Sequence, residues 1–121
     1  MANYPQAIGA YSVYQRAADL LFASGQIPIN PASGEIESTD IKAQTRQVLQ
    51  NIKGILDENG LDFSDVIKTT CFLADISDFS AFNEIYAQFF TPPYPARSAL
   101  AVKDLPKGAK IEIEIIASFK K

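Results

Sequence analysis

Apolar and polar positions alternate along this chain in two rhythms, one of period two and one close to 3.6. Residues up to Ala10 read as an irregular arm that reaches Gly9 without periodicity. Tyr11 to Arg16 and Leu20 to Ser24 read as two strands around an Ala17–Asp19 turn, and Gly25 to Ile29 continues extended. Asn30-Pro31-Ala32-Ser33-Gly34 is a loop by its turn-forming composition. Ile41, Thr45, Val48, Leu49, Ile52, Ile55 and Leu56 then fall on one helical face. Ser38, Thr39 or Asp40 can cap that helix and Gly60 can stop it.

Ser64 to Ala74 is rich in Val, Ile, Thr and Phe and reads as a strand. Apolar residues occupy both of its parities (Val66 with Phe72, Ile67 with Leu73), which predicts a central strand covered on both sides. A second helix is predicted from Asp78 to Phe90 on the row Phe79, Phe82, Ile85, Tyr86, Phe89 and Phe90, ended by Thr91-Pro92-Pro93-Tyr94-Pro95. Pro95 to Val102 and Lys110 to Ile116 read as two closing strands joined through a Pro106/Gly108 turn segment. The order β-β-α-β-α-β-β describes an α+β domain spanning residues 1–121, a mixed sheet with both helices on one face.

Parity picks out candidate chemistry in the last two strands. Ile111, Ile113 and Ile115 share one side, leaving Glu112 and Glu114 on the other. Leu100 and Val102 share a side with Ser98, leaving Arg97, Ala99 and Ala101 opposite. If the aliphatic sides of both strands face one core, Arg97 and Glu112 project together over a floor of small residues. Such a pairing suits a small ligand that bears a carboxylate. The uncovered sheet face would also carry an apolar row, and large exposed apolar patches mark interfaces. A homo-oligomer closed through that face is therefore expected, with a site that subunits could share.

Composition narrows the chemistry. The 121 residues are 47% hydrophobic and 21% charged with a net charge of −3, a globular chain with no run of Lys or Arg to mark a nucleic-acid surface. There is no His, which removes Ser-His-Asp triads, Cys-His pairs and His-ligated metal sites. A single Cys, Cys71, cannot form an internal disulfide and fits a reducing compartment; within its strand it reads as an inert buried thiol. No signal-peptide pattern and no membrane-length apolar run occurs, so a soluble cytoplasmic protein is expected. The Lys120-Lys121 tail reads as solvated.

Three stretches together resemble the Rid family of reactive intermediate deaminases, also called RidA or YjgF-like proteins. They are Ala7-Ile8-Gly9-Ala10-Tyr11-Ser12, Ser24-Gly25-Gln26-Ile27-Pro28, and Pro95-Ala96-Arg97-Ser98 followed by Ile111-Glu112-Ile113. Val66-Ile67-Lys68-Thr69-Thr70 and Phe82-Asn83-Glu84-Ile85-Tyr86 extend the likeness over nearly the whole chain. The resemblance implies a chorismate-mutase-like fold and a homotrimer whose sheets form a central β-barrel, with sites in the clefts between subunits. It also implies cofactor-free hydrolysis of enamines and imines such as 2-aminoacrylate, 2-iminopropanoate or 2-iminobutanoate to 2-oxo acids and ammonia. By motif, Arg97 would hold the substrate carboxylate and Glu112 would position or activate water. Tyr11, Ser24, Gly25, Asn83 and Tyr86 would line the pocket. Many members carry a cysteine two residues after the arginine, where this chain has Ala99.

Each residue also has a plainer reading. Arg97 could be an interface arginine paired with Glu112 or Glu114, although its planar fork suits a carboxylate better than Lys would. A guanidinium beside Glu112 would lower its pKa while burial would raise it, and the sequence leaves the balance open. Glu114 reads as an interface charge. Tyr11 could be a lid or a packed ring, Ser24-Gly25 a plain turn, Asn83 the partner of a loop carbonyl, and Tyr86 a core residue. Two other function classes compete with hydrolysis: a non-catalytic trimeric regulator that binds a 2-oxo acid or a partner protein, and RNA cleavage or translation inhibition. The acidic balance and missing His count against the second.

Overall fold

The computed structural model describes residues 2–120; Met1, at the start of the predicted arm, and Lys121, in the predicted tail, lie outside them. Among the described residues seven strands and two α-helices follow in the order β1 (Tyr14–Ala17), β2 (Leu20–Gln26), β3 (Ile29–Asn30), β4 (Glu35–Ile36), α1 (Ile41–Glu58), β5 (Val66–Leu73), α2 (Phe79–Tyr86), β6 (Ala96–Ala101) and β7 (Ile111–Ser118). Five strands form one mixed sheet in the order β1-β2-β7-β5-β6, with β5 and β6 parallel and the other pairs antiparallel. Both helices pack on one face of it, giving the α+β, chorismate-mutase-like arrangement. Among the described residues no helix is long and apolar enough to cross a membrane.

α1 forms where its apolar period demands. Asp40 caps it by accepting from the Ala43 amide, and the chain leaves it through Gly60 at φ 71. The Gly60 amide donates to Asp57 O and the Leu61 amide to Leu56 O, closing the last turn while a positive φ turns the chain away. The face that this frame aims inward, including Val48, Leu49, Ile52, Ile55 and Leu56, is fully buried against the sheet. Two buried amides share that side. Asn51 Nδ2 donates to Ile29 O at 2.9 Å, and Gln44 Oε1 accepts from the Lys110 amide at 2.8 Å. They tie the connections around β3 and β7 to the helix, so neither buried polar group is left unpaired.

The second helix is shorter than its apolar row. A 3-10 turn at Ile76–Asp78 precedes Phe79–Tyr86, and Gln88 and Phe89 then donate to Ile85 O and Tyr86 O in tighter turns. Phe90 therefore continues the aromatic row without α-helical backbone. At the N-terminal end, β1 begins at Tyr14 rather than Tyr11, and the predicted Asn30–Gly34 loop closes the small β3–β4 hairpin.

β5 lies between β6 and β7 and pairs with both, so it is an interior strand, as its composition predicts. The expected cover on both sides is not supplied by this chain: Val66, Thr69, Cys71 and Leu73 are buried, while Ile67 is 47% exposed. A bulge between Val66 and Lys68 reverses the parity, so Val66 shares the buried face with Leu73 and not with Phe72. The second apolar row lies instead on the open sheet face, where Phe22 and Leu100 are also exposed.

Candidate functional site

Arg97 and Glu112 emerge from opposite faces of the sheet. Register pairs Arg97 with Thr69 and Thr69 with Ile115, a row on the helix side, and it pairs Leu100 with Phe72 and Phe72 with Glu112, a row on the open side. The parity expectation that joined the two residues fails at β6. Its Ala99 and Ala101 side, not its Leu100 side, turns toward the helices, and Ala99 packs on the core. Leu100 is 43% exposed. Apolar side chains could not mark the core side of this strand, because the open face is apolar as well.

The helix-side group surrounds Arg97. Its Nη1 donates to Asn83 Oδ1 at 2.7 Å, so the partner of Asn83 is the arginine and not a loop carbonyl. The guanidinium carbon lies 4.8 Å from the Tyr86 ring centroid and 5.5 Å from that of Phe79. This geometry attracts a cation to the ring faces and limits its side-chain freedom. Tyr86 is itself fixed by a 2.8 Å hydrogen bond between its hydroxyl and buried Thr69 Oγ1, and by stacking on Phe90 at 4.4 Å. Burial raises the pKa of its phenol. Asn83, Tyr86, Ala87, Tyr94, Pro95 and Arg97 line an open cavity of about 340 Å³. The result is a fixed guanidinium on an aromatic floor, suited to receiving a planar carboxylate.

The open-side group surrounds Glu112. Its carboxylate lies across Gly25 so closely that a Cβ there would come within 1.9 Å of Glu112 Oε2. Ser24 Oγ donates to Ser12 O at 2.6 Å, which commits its proton to holding the arm. Tyr11 stands half exposed, with its hydroxyl accepting from the Ile8 amide at 3.4 Å. Ile8, Tyr11, Ser24, Gly25, Ile27, Pro106 and Glu112 line a second cavity of about 280 Å³. Burial, and after it the like charge of Glu114, raises the Glu112 pKa. Within the chain the balance left open by sequence thus falls to burial, because no guanidinium shares that face of the strand.

The remaining candidates take ordinary places. Glu114 lines a shallow hollow on the open face with Phe22, Lys68, Thr70 and Ile116. Cys71 is buried and its thiol is pushed up to about 11 by that burial, so little thiolate exists at neutral pH. Ala99 sits beside Cys71 in register. Among the described residues no three His, Cys, Asp or Glu side chains gather as a metal site requires. Sequence reasoning missed Thr69, Tyr94 and Pro106. Thr69 could have been found from its alternation with Cys71 and Leu73, since a hydroxyl on a buried row needs a partner.

Comparison with known proteins places these features in a family. Residues 1–119 match the family model described as Endoribonuclease L-PSP. A Lactococcus lactis protein, AldR, whose name gives it a provisional regulatory role, is 55% identical over 96% of this chain and 92% of its own length. The human 2-iminobutanoate/2-iminopropanoate deaminase is 46% identical over 96% of this chain and 85% of its own length. The solved structure of Escherichia coli TdcF with bound serine superposes with a TM-score of 0.90 at 44% identity, covering 96% of this chain and 93% of that one.

Proposed function

Because the chain belongs to the Rid (YjgF, L-PSP) family, we propose that it hydrolyses small 2-imino acids to 2-oxo acids and ammonia. The observation that carries the reading is the pair of complementary half-sites: a guanidinium fixed on an aromatic floor, and a half-buried carboxylate of raised pKa over an approachable glycine. One chain holds them on opposite faces of its sheet. Because β6 is an edge strand, the Arg97 cavity opens at the rim. A second copy docked against the exposed apolar face bearing Phe22, Ile67 and Leu100 would bring one copy's Arg97 toward the next copy's Glu112. Three copies closing those faces into a barrel form three such sites.

In the assembled site Arg97 grips the substrate carboxylate with its fork, and Tyr86 and Asn83 keep that fork in place. An enamine such as 2-aminoacrylate first takes a proton at its terminal carbon and gives one up from nitrogen to become the imine. Water then adds to the C=N carbon, its oxygen forming the C–O bond as one of its protons passes to the nitrogen. The nitrogen takes a second proton and leaves as ammonia as the C–N bond breaks, and the hydroxyl oxygen gives up its proton to leave the 2-oxo acid. Glu112, the carboxylate lining its cavity, is placed to pass these protons among carbon, water and nitrogen. The protein's contribution is orientation and charge placement, a demand that a chain without histidine can meet.

A regulator that only binds a 2-oxo acid could use the Arg97 half-site without chemistry, and the provisional name of AldR favours keeping that reading in view. A coupled assay separates the two. A serine or threonine dehydratase is run, and 2-oxo acid release is followed with this protein and with its Arg97→Ala variant. Acceleration by the wild type that is lost in the variant is expected. No acceleration by the wild type leaves the binding protein, and acceleration that survives in Arg97→Ala refutes the residue's role. Degradation of a labelled RNA, with Arg97→Ala as control, tests the activity in the family description.

A further inference from the structure

The arm that carries Ile8 and Tyr11 into the Glu112 cavity runs without a strand partner until Tyr14. Besides the Ser24 hydrogen bond to Ser12 O, a strip on α1, one helical turn long, holds it. Gly54 is buried inside that helix, where glycine is the poorest former apart from proline. A Cβ at Gly54 would lie 2.2 Å from Asn3 O and 2.7 Å from Asn3 C. Those are backbone atoms, which cannot rotate aside, so the arm's close seat on the helix requires glycine there. Four residues on, and on the same face, Glu58 Oε2 accepts a 2.6 Å hydrogen bond from Tyr4 Oη and a second from Tyr14 Oη. The two rings meet edge-on, with centroids 6.5 Å apart at 72°. One carboxylate therefore ties down both ends of the segment from Tyr4 to Tyr14. Between those ties Pro5, Gln6, Ile8, Tyr11 and Val13 line a small hollow of about 30 Å³ together with Gly25, Gln26 and Ile27.

We infer that Gly54 and Glu58 are positioning residues: together they clamp the arm so that Ile8 and Tyr11 wall the Glu112 half of the site. Pinning both ends of a loop removes most of the freedom that its tip would otherwise have. The clamp acts on how well a substrate is held and not on the proton transfers, because neither residue lines that cavity. The kinetic part of this inference rests on the deaminase reading above; the structural part does not.

The test uses the full chain and two readouts. Hydrogen exchange of the arm amides, residues 3–12, is compared with that of β7 in the wild type, Glu58→Ala, Tyr4→Phe, Gly54→Ala and Glu58→Gln. In Glu58→Ala and Gly54→Ala the arm amides should exchange roughly three- to tenfold faster while β7 is unchanged. In the imine assay the same variants should raise KM by a similar factor with kcat nearly constant. Glu58→Gln, whose amide oxygen still accepts, should recover part of both effects, and Tyr4→Phe should fall between. Unchanged arm exchange in both Glu58→Ala and Gly54→Ala overturns the clamp, as does faster exchange spread equally through β7. Looser arms with unchanged KM overturn the positioning role. If the wild type hydrolyses no imine, the deaminase reading fails, while the exchange result still decides the clamp.

Discussion

Arg97 and Glu112 occupy opposite faces of one sheet, the first over Tyr86 on the helix side and the second across Gly25 on the open side. Neither can reach the other around the intervening β5 within a single chain, so a site that uses both needs a second copy. The exposed apolar residues of the open face supply a reason for that copy to bind.

Gly25 should be intolerant of even one carbon. A Cβ there meets the end of the Glu112 side chain, which can swing away. Gly25→Ala should therefore cost little stability, a melting shift within a few degrees. It should reduce imine hydrolysis nearly as far as Glu112→Gln does. Melting and kinetics measured side by side check this, and a large melting loss with activity retained would refute it.

Asn83 orients Arg97 through a single charge-assisted hydrogen bond. Asn83→Ala should raise KM about tenfold with a smaller change in kcat, since a hydrogen bond to a charged group contributes about 1.5–3 kcal/mol before solvent screening reduces it. Arg97→Lys should be worse, because an ammonium keeps the charge but loses the fork and the stacking on Tyr86. Steady-state kinetics of both variants test the ranking.

How much of this was legible in sequence depended on whether one face of an element differed from the other. α1 read true from Asp40 to Gly60 because its apolar stripe is single and both ends carry capping residues. β6 misled because Leu100 faces the open side, which carries exposed apolar residues too, so parity could not identify the core. The bulge after Val66 defeated parity in β5 for a local reason, one extra residue that no composition signal announces. Arg97 and Glu112 stood out singly, as charges within otherwise apolar strands. Their separation onto two faces, and the clamp of Glu58 on Tyr4 and Tyr14, depend on tertiary placement that periodicity does not carry.

Glu112 should also leave a signature in stability against pH. Burial raises its pKa within the folded chain, so where burial outweighs any guanidinium brought near, the native state holds its proton more tightly than the unfolded chain does. Its contribution is then most favourable below the ordinary glutamate range and is lost as pH rises through the raised value. Glu112→Gln, which cannot ionise, should gain in melting temperature relative to wild type as pH is raised from about 4 to about 7. A difference that stays flat, or falls, across that range would contradict the raised pKa.

One catalytic site should draw Arg97 from one copy and Glu112 from another, and complementation between two variants reveals that sharing. Arg97→Ala and Glu112→Gln, each inactive alone, are co-expressed in equal amounts and purified as a mixed assembly. If every site takes one residue from each of two copies, random mixing leaves about a quarter of sites with both groups intact, and about a quarter of wild-type activity should return. An assembly confirmed to be mixed that shows no more activity than the parents would contradict the account.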